Sequence, residues 1–542
     1  MPSRSPPSGN RWALPALITG SLAVVAFGGL FALDHFVTGG PGGPSTLGAQ
    51  GVPGHGPLSR YLAFDQDHIT DAVASLGGMT AGVLGIVITV VSLVVQLSAE
   101  RYTGVARMFL RDRINMAVMG YYVVACCSGV MVSLSIHADF VPRVTLVVMM
   151  VATMVALLLM APYFAYVFWF LEPSNIIRRI RHEALRGFRR AAEGERPLAI
   201  EDAQEQVLRA LEELTDIGSN SIQGKDKMIA TGAVDAITEF TVRYLHLKAT
   251  TPAHWFNLSP QLLKNPDVVA LDREAREELV LRRTWLEWKA MRQLLAVYNE
   301  ALGAMPDINH LIAIDTRYIA EAALKLHDEE SLLLSFRYLN SYLRTTLNAR
   351  NVRTAYNVLN QYRHLVDALI QAGKGSLAVA AVKHLKYYAD VSTDMNLPFV
   401  TETIGYDVGA LCEVAHQANL PEQDQLLHLF LELDRVSKTQ VEVLALRGVR
   451  KAQTKLAAYY LTADDRGRAA RIYQDMEHEP LSHLLSIRDE LARIETKDFW
   501  EIVDRGRNFD FMPPEQKRAM MEFFSWFPDG ELGVLSGRRS EA

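Results

Sequence analysis

Seven residues, Ser75, Gly78, Gly82, Gly85, Thr89, Ser92 and Gln96, recur at alternating intervals of three and four, and each is small or polar. This spacing puts them on the a and d positions of one heptad, and so on one helix face. The residues between them, such as Val83, Ile86, Val87, Val91, Leu93 and Leu97, are lipid-like. In lipid, apolar side chains gain nothing by meeting one another, so helices associate through close backbone approach and hydrogen bonds. The chemistry open to this face is helix packing, with Gly78 and Gly82 as a Gly-x-x-x-Gly pair and a left-handed crossing implied by the 3.5-residue period. The competing reading is a polar pathway lined by Thr89, Ser92 and Gln96. No carboxylate or imidazole interrupts the stretch to relay protons, which weighs against a proton-coupled pump.

Other constellations are weaker. Asp65, Asp67, His68 and Asp71 crowd the start of the same helix, but acidic residues are favoured at any helix N-terminus. Gly373-Lys374-Gly375-Ser376 resembles the end of a phosphate loop, yet residue 368 is Ala and the context is helical. His478 and His483 are one residue too far apart for a zincin pair, and Pro480 stands between them. Cys126, Cys127 and Cys412 make no disulfide framework. No catalytic residue, cofactor or metal is expected.

The elements that hold the seven-residue face belong to a membrane. The chain has 542 residues, 49% hydrophobic and 21% charged, with a mean hydropathy of +0.06 and a net charge of −6. Residues 1–171 contain 8 Arg, no Lys and 7 acidic residues, so the hydrophobic excess lies there. Four stretches, 12–33, 72–98, 116–136 and 145–171, are long enough to span a bilayer core, which takes roughly 20 helical residues. The first reads as a retained anchor rather than a cleaved signal. Arg101, Arg107, Arg111 and Arg113 follow the second stretch, and Arg178, Arg179, Arg181, Arg186, Arg189 and Arg190 follow the fourth. Arginine resists translocation, so both termini are expected in the cytoplasm. The Gly/Pro-rich segment 34–70 then forms an outer loop.

Segment 172–200 reads as a basic juxtamembrane helix and linker. Its Ile176, Ile177, Ile180, Leu185 and Phe188 form an apolar stripe beside the arginines. With Arg107, Arg111 and Arg113 these cations are expected to meet anionic lipid headgroups, at about 1 kcal/mol per charge. The acidic overall balance gives no reason to expect a nucleic-acid partner. Residues 201–530 carry apolar positions at helical spacing, with starts near 308, 329, 351, 375, 399, 423 and 440, and 531–542 reads as a disordered tail. The expected architecture is all-α, a four-helix transmembrane bundle followed by a cytoplasmic solenoid-like domain. The tyrosines Tyr338, Tyr342, Tyr356, Tyr362, Tyr387, Tyr388 and Tyr406 are expected mostly in packing, with a peptide-binding face as the alternative.

The run Gln96-Leu97-Ser98, Tyr102 and Phe109-Leu110-Arg111-Asp112-Arg113 resembles the signature loop of a bacterial family of uncharacterised predicted membrane proteins, carriers of a domain of unknown function. A second echo is Asp216 to Asp226, followed by Ala230, Ala233 and Ile237. The likeness spans roughly residues 70–240 and implies a bacterial inner-membrane protein. Separately, Ala457-Ala458-Tyr459-Tyr460 and Gly467 to Tyr473 resemble a tetratricopeptide unit. The expected function is an oligomeric inner-membrane protein with a cytoplasmic protein-binding or regulatory platform, the alternative being an ion channel or transporter.

Overall fold

The computed structural model describes residues 66–101, 105–135, 143–193, 197–434, 440–499, 505–506 and 508–527. The described residues are predominantly helical and contain no strand. They fall into two compact units, divided between Ile176 and Ile177. The expected span 12–33, the Gly/Pro-rich 34–65 and the tail 531–542 lie outside the described residues, as do the side chains of Asp65, Asp67 and His68.

In the first unit, α1 (Gln66–Arg101), α3 (Arg113–Ser135) and α4 (Arg143–Leu171) are long and apolar enough to cross a membrane. Short α2 (Val105–Leu110) joins α1 to α3. Helix α1 packs on both α3 and α4, and α3 packs on α4. Ile69, Val73, Val132, Leu146 and Met149 make one buried cluster. The three helices expose a coat of apolar residues, among them Ile86, Leu93, Val124, Met131, Leu134 and Phe168, as lipid-facing surfaces do.

The second unit begins with α5 (Pro173–Glu193), α6 (Pro197–Gln223) and α7 (Lys227–Lys248). Buried Phe188 meets Tyr244 at 4.9 Å and Trp255 at 5.0 Å between ring centroids. Trp285 donates its indole N–H to the Trp255 carbonyl, and Gln204 donates to the same oxygen, which fixes the irregular stretch after α7. Short α8 (Pro266–Val269) and α9 (Arg273–Leu281) follow.

A regular series then runs through α10 (Trp285–Ala304), α11 (Pro306–Lys325), α12 (Glu329–Asn348), α13 (Val352–Gln371), α14 (Gly375–Asp394), α15 (Pro398–Gln417), α16 (Gln423–Leu431) and α17 (Gln440–Thr462). The described residues continue with α18 (Arg466–Met476), α19 (Leu481–Arg493) and α20 (Pro514–Phe524). From α10 to α16 each helix packs on the next, and helices one apart also pack on each other, giving a row of α7, α11, α13, α15 and α17 and a row of α6, α10, α12, α14 and α16.

Five of the turns share one geometry. His327, Arg350, Gly373, Asn396 and Asn419 all have positive φ and are spaced 23 residues apart. After each, the next amide bonds back five residues, as in Asp328 N to Ala323 O and Asn351 N to Thr346 O, the Schellman closure of a helix end. Asp328 and Asn351 then cap the following helix by accepting from Ser331 N and Thr354 N. One turn thus ends one helix and begins another. Buried polar groups fix the register: Lys248 bonds Glu287 at 2.5 Å and Asp328 at 2.7 Å, with Glu287 fully buried.

Candidate functional site

Helix α1 presents two faces with different fates. Val73, Thr80, Val83, Val87 and Val91 are buried, and Thr80 shares a hydrogen bond of 3.1 Å with Thr153 of α4. Helices α1 and α3 approach each other at Gly77 and Gly129, where a Cβ on Gly129 would lie 3.5 Å from the Gly77 Cα. The small and polar face points elsewhere. Ser75, Gly78, Gly82, Gly85, Thr89, Ser92 and Gln96 are all exposed, and a Cβ added at Gly78, Gly82 or Gly85 would meet nothing within 4 Å. The Thr89 hydroxyl donates back to the Gly85 carbonyl at 2.8 Å. The seven residues therefore share one face but do not pack against α3 or α4. Val83, Val87 and Val91, read from sequence as lipid-like, do that work instead.

The turn from α2 into α3 is tightly tied. Asp112 accepts from Ile114 N and Asn115 N, capping α3, while its Oδ2 also accepts from Tyr166 OH at 2.6 Å. Buried Asn115 donates to the Phe109 carbonyl at 3.0 Å and accepts from Tyr163 OH at 2.7 Å. Phe109 meets Phe170 edge to face at 5.2 Å. Tyr121 and Tyr122 of α3 donate to the carbonyls of Ala152 and Ala156 on α4. The Phe109 to Arg113 run is thus a latch on the aromatic end of α4, and Arg107, Arg111 and Arg113 are exposed.

The arginines of α5 divide. Arg186, Arg189 and Arg190 are exposed, and Arg178 and Arg179 are half-buried. Arg181 pairs with Glu239 of α7. The apolar stripe beside these arginines is buried in protein, because Ile177 lies against Gly232 and Phe188 against Tyr244 and Trp255.

The run Asp216 to Asp226 is the turn from α6 into α7. Lys225 takes positive φ, Asp226 N bonds the Ser221 carbonyl, and the Asp226 side chain caps α7 at Ile229 N. Gly218 lies beside Ala233 and Val297, and a Cβ there would make ordinary contact with each at 3.6 Å. Across α7, Thr238 donates to Asp315 of α11 at 2.9 Å. Burial, with Asp235 and Glu239 nearby, raises the Asp315 carboxyl to about 7. Gly373-Lys374-Gly375-Ser376 is one of the 23-residue turns, and Pro480 separates α18 from α19, so His478 and His483 do not share a helix.

Tyr342 and Tyr362 are fully buried and Tyr338 and Tyr388 nearly so, as packing residues, whereas Tyr387 is exposed. Tyr356 and Tyr406 are different, each carrying a ring of the segment 505–512. Nothing in the helical periodicity pointed to that segment.

These features define an α-helical membrane protein whose chain continues into an all-helical C-terminal unit. Residues 8–222 match the model of the family described as Predicted membrane protein (DUF2254). The family resemblance read from the sequence thus holds; the match extends back over the first expected span and ends at residue 222, within the 216–226 run and short of the expected limit near 240. No curated protein and no solved structure matches the chain.

Proposed function

We propose that this is a bacterial inner-membrane protein that self-associates through the open face of α1 and uses its C-terminal unit, a solenoid-like array on the cytoplasmic side, as a protein-binding or regulatory platform. One observation carries the reading: α1 buries a valine face inside its own unit and leaves Ser75 to Gln96 uncovered by α3 and α4. A second copy placing the same face against it gains close backbone contact at three glycines. Arg107, Arg111, Arg113, Arg178, Arg179, Arg186, Arg189 and Arg190 then meet anionic headgroups on the cytoplasmic side.

The test uses Thr89→Cys in a background with Cys126 and Cys127 replaced by Ser. A disulfide between identical positions forms only between copies. Oxidation in membranes is expected to give a cross-linked dimer, and Gly82→Leu is expected to abolish it while α-helical content stays intact. A chain that stays monomeric in native detergent and never cross-links sinks self-association. The channel reading requires Thr89, Ser92 and Gln96 to face water. Ion flux in liposomes, lost in Thr89→Val with Gln96→Leu, would favour it over a scaffold.

A further inference from the structure

The row of α13, α15 and α17 carries a foreign strand of backbone. Residues 505–506 and 508–512 follow none of the 23-residue geometry and form no helix. They lie across Tyr356, Tyr406, Asp407, Lys451 and Lys455, supplied by those three helices. Arg505 donates to Asp407 Oδ1 at 2.6 Å and to the Tyr356 carbonyl at 2.6 Å, and its guanidinium sits 4.2 Å from the Tyr356 ring centroid. Side chains Arg505 and Asp407 are only 5% and 3% exposed. Phe509 stacks on Tyr406 at 4.9 Å and 12°. Lys455 bonds the Phe509 carbonyl. Asp510 accepts from Tyr406 OH and from Lys451, the latter at 3.2 Å.

This is recognition chemistry rather than filler. A plug meant only to seal a row would gain more from apolar packing than from a buried ion pair, whose desolvation cost offsets much of its attraction. A guanidinium in a carboxylate-floored, aromatic-walled slot discriminates instead, by geometry and charge. The segment is also a loop between separately anchored helices. On one side α19 packs on α17, and on the other α20 packs on α17. Lys517 of α20 bonds the carbonyls of Ala492 and Ile494, so the two helices are tied to each other behind the loop.

We propose that the groove across α13, α15 and α17 is a binding site for an extended peptide bearing a guanidinium four residues ahead of an aromatic–aspartate pair, and that residues 505–510 occupy it in cis as a displaceable stand-in. The inference rests on the platform half of the proposed function and is independent of self-association. Asp407 selects the cation, the Tyr356 and Tyr406 rings hold guanidinium and aromatic, and Lys451 takes the carboxylate.

The probe is a fluorescein-labelled peptide of residues 503–512, titrated into the full chain in detergent with fluorescence anisotropy as readout. Arg505→Ala with Phe509→Ala empties the groove and is expected to bind the peptide at least tenfold more tightly than the unmodified chain. Adding Asp407→Asn, or changing the peptide's own guanidinium to Gln, is expected to weaken that binding at least tenfold. A variant that unfolds cooperatively yet shows no saturable binding overturns the proposal, as does binding indifferent to Asp407→Asn. Hydrogen exchange on the unmodified chain covers the case of a variant that does not fold. Amides of 508–512 exchanging well before those of α15 and α17 support a displaceable loop, while exchange only together with them makes it a fixed clasp. Loss of peptide binding alongside an intact Thr89→Cys dimer sinks the groove alone.

Discussion

Asn115 shows how much one side chain can hold inside a membrane unit. Its amide closes the turn at Phe109 with one end and receives Tyr163 with the other, so removing either partner strands a buried polar group where no water can replace it. Tyr163→Phe is expected to cost about 0.5–2 kcal/mol of stability in detergent, measured by SDS-induced unfolding. Asp315 makes a different prediction. Its pKa is raised from 3.8 to about 7 in the folded chain, so the folded state holds a proton that the unfolded state gives up. The stability this contributes is fully present below about pH 4 and is lost as pH rises through about 7. The slope is at most about 1.4 kcal/mol per pH unit in that window. Asp315→Asn is expected to flatten the dependence between pH 4 and 7, read from urea midpoints of the full chain. A slope unchanged in the variant would assign the dependence elsewhere.

At the scale of helices, the turns explain both what could be read and what could not. Expected starts near 308, 329, 351, 375, 399 and 423 fall within two residues of those observed, because Pro306, Pro398, Asp328 and Asn351 are ordinary helix openers and the apolar spacing between them is regular. The strict 23-residue recurrence stayed hidden because four of its five left-handed positions are His327, Arg350, Asn396 and Asn419, and only Gly373 carries the residue that announces such a turn. Gly373 has φ +69° and open space around it, so a Cβ there meets backbone strain and nothing else. Gly373→Val is expected to cost about 1–2 kcal/mol, whereas Arg350→Gly is expected to be neutral or slightly stabilising. Thermal unfolding of the two variants side by side checks the pair. For α1, sequence spacing identified a small and polar face but not what lies against it. Val83, Val87 and Val91 share a face as well as the glycines do, and only the positions of α3 and α4 decide which of the two is covered. The apolar stripe of α5 was likewise legible as a stripe, while its burial under Tyr244 and Trp255 depends on residues some fifty positions or more away. Segment 505–512 has no periodicity to read at all.

For the whole molecule, the alternation of rows carries a rule about length. Successive helices take opposite rows, and each turn is one 23-residue step, so the array has a parity. Removing residues 329–351 deletes one step, and every later helix is then offered to the row for which its buried face was not made. Removing 329–374 deletes two steps and returns each later helix to its own side. The longer deletion is therefore expected to keep cooperative helical unfolding by circular dichroism, and the shorter one to lose it. By the same rule, an array of this kind lengthens or shortens by inheritance in pairs of helices, and a duplication of a single step leaves a chain that cannot close its core.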